Sequence, residues 1–245
     1  DKSRRESAIK RIYLIAVGSL LLAALPALPW EVTPTFSYGG AFLEPAPSAY
    51  SERGPDSTAA GVFAAGVGAS VGRWGASFVY AQRYDAYADL GRVNDYEIVG
   101  RGAPFYRDRW AVFCLAGLGL SRSPVARAFS FDDGAATDWT PIVGAGLGYM
   151  PGGWLEVSTA VTYRERPQVV HFVYSEYGSV RSPAVDLCAN CFLTPAPFIA
   201  LGPSFRHILY GPYDFYLHSQ TNQNKGWVTG QETYILATVA VPINF

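Results

Sequence analysis

The chain has 245 residues, of which 16% are charged and 15% aromatic, with 25 Gly and a formal net charge of -1 from 19 Lys+Arg and 20 Asp+Glu. Soluble domains carry roughly a quarter charged residues, so this chain is poor in charge, and its mean hydropathy is +0.09. Beyond residue 30 no apolar run reaches the ~18 residues of a helical span, which excludes a polytopic helical membrane protein; the apolar content excludes a disordered chain, and the charge balance excludes a basic nucleic-acid surface.

Residues 1–11 are basic, with Lys2, Arg4, Arg5, Lys10 and Arg11, and Ile12 to Leu28 is a run of 17 apolar or small residues. A positive start, an apolar stretch and small residues at its end predict a helical secretory signal peptide over 1–28, cut after Ala24 or Ala27. The alternative is an uncleaved anchor, for which this run is at the short limit. The chain opens on Asp1 rather than Met, as expected for the truncated start of a longer reading frame. Residues 29–245 then form one domain, a length at which barrels are routinely single.

That domain reads as strands with period-two alternation bounded by turn residues. Strands are predicted at 32–43, 58–71, 73–83, 94–106, 109–121, 138–150, 153–164, 193–206, 209–219 and 230–245. In 153–164, Leu155, Val157, Thr159, Val161 and Tyr163 share one face, and Glu156, Ser158, Ala160, Thr162 and Arg164 the other. In 138–150, Val143, Ala145, Leu147 and Tyr149 oppose Gly144, Gly146 and Gly148. Links near 72, 107 and 152 are tight, and one near 207 is poorly marked. Residues 44–57, 84–93, 122–137, 165–192 and 220–229 are long and polar. Most strands slightly exceed the ~9–11 residues that cross a bilayer at a tilt. Short turns on one side and long loops on the other predict an all-β, transmembrane, antiparallel up-and-down barrel of ten strands, with eight as the alternative.

Lipid-facing Arg or Lys costs ~2–4 kcal/mol at mid-depth, so the Leu/Val/Tyr faces are expected outside and the charges inside. Arg83, Glu97, Arg101, Glu156, Arg164 and Glu232 are the candidate lumen residues. Gly117, Gly119, Gly144, Gly146 and Gly148 would line a narrow lumen. Trp74, Trp110, Trp139, Tyr149, Trp154 and Tyr163 lie near strand ends, where aromatic girdles form. A secreted soluble barrel of the lipocalin kind would show the reverse, with charges outside.

The last strand alternates to its final residue, with Ile235, Ala237, Val239, Val241, Ile243 and Phe245 on one face. It resembles the C-terminal β-signal of bacterial outer-membrane barrel proteins, and the repeated Gly-x-Gly-aromatic strands extend the resemblance over most of 31–245. Pro242 departs from the pattern, at a strand end where Pro is tolerated. The resemblance implies the bacterial outer membrane, recognition of Val239, Val241, Ile243 and Phe245 by the barrel-assembly machinery, and contact with outer-membrane lipid.

Catalytic candidates are few. His218, in Tyr216-Leu-His-Ser-Gln-Thr-Asn222, with the later acid Glu232 partly resembles the His-x-Ser pair of outer-membrane lipid hydrolases. Here Ser219 adjoins His218, and adjacent residues of a strand point to opposite faces. Cys188 and Cys191, placed in the long loop, could close a small loop-pinning disulfide or stand as two idle thiols, with metal binding or redox chemistry as the lesser readings. Cys114 is a small packing residue on a strand, and Asp132 and Asp133 are solvated in a loop. No cofactor motif and no nucleic-acid surface is present. The expected protein is a non-enzymatic outer-membrane barrel with a structural or surface-interaction role and a lumen closed by polar side chains. The alternatives are a narrow channel for small solutes and a lipid hydrolase using His218.

Overall fold

The computed structural model describes residues 30–46, 58–84, 92–122, 139–172, 177–211 and 226–244. The strands are β1 (Glu31–Ala46), β2 (Thr58–Val71), β3 (Trp74–Tyr84), β4 (Arg92–Arg107), β5 (Trp110–Arg122), β6 (Thr140–Gly152), β7 (Leu155–Phe172), β8 (Tyr177–Ala196), β9 (Ile199–Tyr210), β10 (Gly226–Ala240) and β11 (Ile243–Asn244). Each of β1 to β10 pairs antiparallel with the next, and β10 pairs with β1, which closes a ten-strand barrel. Closure leaves no long strand edge to recruit another chain.

The two-residue β11 continues β10. Thr35 lies opposite Ala240 and Val32 opposite Ile243, so the register against β1 is the same on both sides of the break. The interruption is Pro242, which has no N–H to give the ladder; just before it the Val241 N–H donates to the Pro34 carbonyl at 2.9 Å. The expected final strand is thus present with a gap at its proline. The signal segment 1–28, Phe245, His218, Ser219, Asp132 and Asp133 lie outside the described residues.

Four tight turns, at residues 72–73, 108–109, 153–154 and 197–198, mark one end of the barrel. Gly72 has φ 58° and Asp108 φ 55°, the left-handed region that Gly enters without penalty and Asp tolerates. The N-terminal end of β1 and the end of β10 lie at this same end, because the strand number is even.

Two expected strands are corrected. The segment 193–206 holds the end of β8, the turn at 197–198 and the start of β9, and β9 ends at Tyr210. The region 165–192 is not a long loop: β7 runs on to Phe172 and β8 begins at Tyr177. Its polarity suggested a loop, but Arg166, Ser182 and Asp186 are buried; they belong to the inward face of two long strands. Conversely, the apolar Pro197-Phe198 looked like strand interior and is a turn.

The wall has two chemically distinct faces. Val143, Leu147, Val161, Tyr163, Leu118, Ile98 and Ile235 are exposed on the outside, while Arg164 is 1% and Asp186 0% exposed inside. Among residues whose side chains are described, the exposed charges are Glu44, Arg73, Arg107, Asp108, Arg109, Arg122 and Glu165; all but Glu165 are in turns or towards strand ends, and Glu165 lies in the upper part of the long strand β7, level with the start of β6. Between them runs a belt without exposed charge. Trp74, Trp110, Trp154 and Phe198 sit exposed beside the four tight turns, as an interfacial girdle requires. Trp110 and Tyr149 pack with ring centroids 4.4 Å apart.

At the opposite end β10 outlasts β9. There Gly226, Trp227 and Val228 pair with Phe172, His171 and Val170 of β7, on the edge of β10 that β9 occupies lower down. The β7–β8 hairpin thereby bridges the mouth above β9.

Candidate functional site

Alternation places one set of polar residues from seven strands in the half of the lumen near the long connections. Arg83 stands next to the end of β3, and its Nη1 donates to Glu232 Oε2 on β10 at 2.5 Å and to the Tyr234 hydroxyl at 2.9 Å. Tyr210 of β9 donates to Glu232 Oε1 at 3.0 Å, and Tyr234 also donates to Glu232. Both members of the ion pair are buried, and the two tyrosines supply the extra hydrogen bonds that a desolvated carboxylate requires.

A larger network lies beside it. Glu97 of β4 receives Arg164 at 3.2 Å, Arg166 at 3.3 Å and Arg206 at 2.7 Å. Asp186 of β8 accepts from Arg166 at 2.8 Å and from Arg206. Asp95 pairs with Arg164 at 3.8 Å and Arg166 at 3.7 Å, and accepts from Ser121. Three arginines thus meet three carboxylates, and the formal charges cancel. β4 and β9 are five strands apart in a ring of ten, so the Glu97–Arg206 contact joins opposite walls.

Inward glycines make the space for these large side chains. A Cβ on Gly119 would overlap the Arg164 guanidinium, and one on Gly146 would overlap the Phe113 ring. Gly119→Ala is therefore expected to push Arg164 off Glu97 and destabilise the barrel by about 1–3 kcal/mol, the usual range for overpacking. A denaturant midpoint equal to that of the unaltered protein would contradict this.

Of the six lumen candidates, Arg83 and Glu232 form one pair, and Glu97 and Arg164 belong to the larger network. Arg101 and Glu156 lie nearer the tight-turn end, within electrostatic reach of each other, and Arg101 stacks over Phe113 at 4.0 Å. Asp95, Arg166, Asp186 and Arg206 were not anticipated. Parity alone pointed to Asp95 and Arg166, each two residues from a candidate. Asp186 and Arg206 required the true limits of β8 and β9.

Beside the Arg101–Glu156 pair, the lumen below the network also carries neutral polar groups. Thr238 shares hydrogen bonds with Ser37 at 2.8 Å and Ser204 at 2.9 Å, and Asn190 donates to Ser158 at 3.5 Å.

Cys188 and Cys191 lie on β8, not in a loop, and both are free thiols. Of the possibilities for this pair, no disulfide is formed. Residues three apart on a strand are separated by roughly 10 Å and point to opposite faces, beyond what a disulfide spans. Cys188 shares the inward parity of Asp186, and Cys191 lies opposite Val157 of the outer face. Cys114 is exposed on the outer side of β5. Glu232, the acid offered for a hydrolase, faces the lumen and is engaged by Arg83 and two tyrosines.

A closed antiparallel barrel with an uncharged apolar belt outside, aromatic residues at its rim and its charges within is an integral outer-membrane β-barrel. No protein-family model matches the sequence, and no curated protein matches it. Among solved structures the chain is similar to the outer-membrane protease OmpT of Escherichia coli, at 10% identity over 88% of this chain and 96% of that one, with TM-score 0.47. It is also similar to an outer-membrane channel of Pseudomonas putida F1, at 6% identity over 89% and 96% with TM-score 0.48. A third is Neisserial surface protein A, at 8% identity over 86% and 96% with TM-score 0.37. At such identities and scores these relatives carry no role over to this chain, and the membrane assignment follows from the barrel's own faces.

Proposed function

We propose that the protein is a non-conducting outer-membrane barrel whose role is structural or lies in the surface interactions of its long connections. The observation that supports this reading is the Glu97–Arg206 contact between opposite walls, flanked by Arg164, Arg166, Asp186 and Asp95. Matched charges that meet across the lumen support a plugged interior, in keeping with side chains largely filling barrels of about this size. The outer belt takes outer-membrane lipid as its partner. Val239, Val241, Ile243 and Phe245 serve as the signal by which the barrel-assembly machinery inserts the chain. Purified protein in planar bilayers is expected to give no single-channel steps; reproducible steps would replace this reading with the narrow channel.

A further inference from the structure

The lumen is not filled along its whole length. Beneath the charge network lies a cavity of about 400 Å³, within the ~300–1,000 Å³ of small-molecule sites. Its roof is made by Glu97, Arg166 and Arg206, and it extends down to Thr33 of β1 and Phe192 of β8, close to the tight-turn end. Its walls include Val62, Ala64, Ile208 and Leu236, while Ser204, Thr238 and Asn190 supply hydroxyl and amide groups. Apolar walls with a few convergent polar groups are the make-up of ligand sites.

The electrostatics choose the ligand class. Each carboxylate of the network above the cavity, Asp95, Glu97 and Asp186, already faces two or three guanidinium groups, and the three arginines have three acidic partners. No charge is left over for an ionic ligand, and a buried ion without a partner is strongly disfavoured. The hydroxyls can still satisfy one polar end of an uncharged molecule.

We propose that this chamber binds a small uncharged molecule with an apolar body and one hydroxyl or carbonyl end, admitted from the tight-turn side. The site goes beyond the closed-barrel role, since a barrel sealed on one side can hold a ligand whether or not it serves loop partners. Cys188 lines the chamber and reports on it.

In a Cys114→Ser, Cys191→Ser background, the folded barrel is treated with 2-hydroxyethyl methanethiosulfonate, an uncharged thiol reagent, and Cys188 modification is followed by mass. 1-Naphthol is expected to slow modification roughly tenfold near saturation, whereas 1-naphthalenesulfonate, with the same rings and a fixed charge, is expected to leave it unchanged. Ala64→Phe, which fills the chamber, removes the protection by 1-naphthol; Ser204→Phe replaces it if the first variant fails the heat-modifiable gel shift of a folded barrel. The proposal is overturned by a Cys188 that does not react in the folded protein, by absence of protection with 1-naphthol, by equal protection with the sulfonate, or by protection that survives the filling variant. Bilayer conductance tests the closed barrel separately, so the two can fail independently.

Discussion

Asp186→Asn is expected to destabilise the folded barrel by about 3–5 kcal/mol, the range for removing one partner of a buried ion pair. Asp186 is 0% exposed and accepts from both Arg166 and Arg206. Asparagine keeps the volume and one acceptor oxygen, so packing changes little. What is lost is a charge: three guanidinium groups, those of Arg164 and Arg166 buried and that of Arg206 partly so, are left with two carboxylates. Urea titration of the barrel refolded in phospholipid vesicles gives the measurement. Adding Arg166→Met restores the balance, so the double variant is expected to be less destabilised than the sum of the single ones, by about 0.5–3 kcal/mol. Additive costs would show that these groups are solvated independently, and a single variant within about 0.5 kcal/mol of the parent would reduce the network to surface chemistry.

Val161→Arg is the second large effect. Val161 is 51% exposed in the middle of β7, with Ala145 and Leu187 as its cross-strand neighbours. In lipid an arginine there is expected to cost about 2–4 kcal/mol. In a soluble barrel the same exposed position would accept it within about 0.5 kcal/mol. The comparison is made on one protein in two settings, phospholipid vesicles and a short-chain detergent whose thin, wet belt lets the guanidinium reach water. A cost of the expected size in vesicles that shrinks in detergent fits a lipid-facing wall. Equal tolerance in both would contradict the membrane orientation.

Strand by strand, legibility followed how each residue's environment was encoded. In 153–164 the alternation of Leu155, Val157 and Val161 with Glu156 and Arg164 gave both the strand and the side each residue faces, because a period of two is a local property of extended backbone. The glycines opposite Val143 and Leu147 were legible as the lumen side for the same reason. Reading failed where polarity was taken as exposure. Arg166 and Asp186 look like loop residues in any local window, and they are buried where partners on β4 and β9 reach them. The Cys188–Cys191 spacing left a disulfide or two free thiols open; β8 passes through both residues and puts them on opposite faces, which excludes the disulfide.

By itself the sequence determined the barrel class, the lipid-facing wall and the alternation that turns charges such as Arg83 and Arg164 inward, since alternation and the penalty for charge in lipid act residue by residue; it did not determine the limits of β8 and β9. Only the tertiary structure decided which charges meet. The pairs Arg83–Glu232 and Glu97–Arg206 are separated by 149 and 109 residues in the chain, and no local pattern ranks one long-range partner above another. Ring closure fixes those choices: the register of β1 on β10 sets the height of every inward side chain, and the narrow lumen brings opposite walls within hydrogen-bond reach.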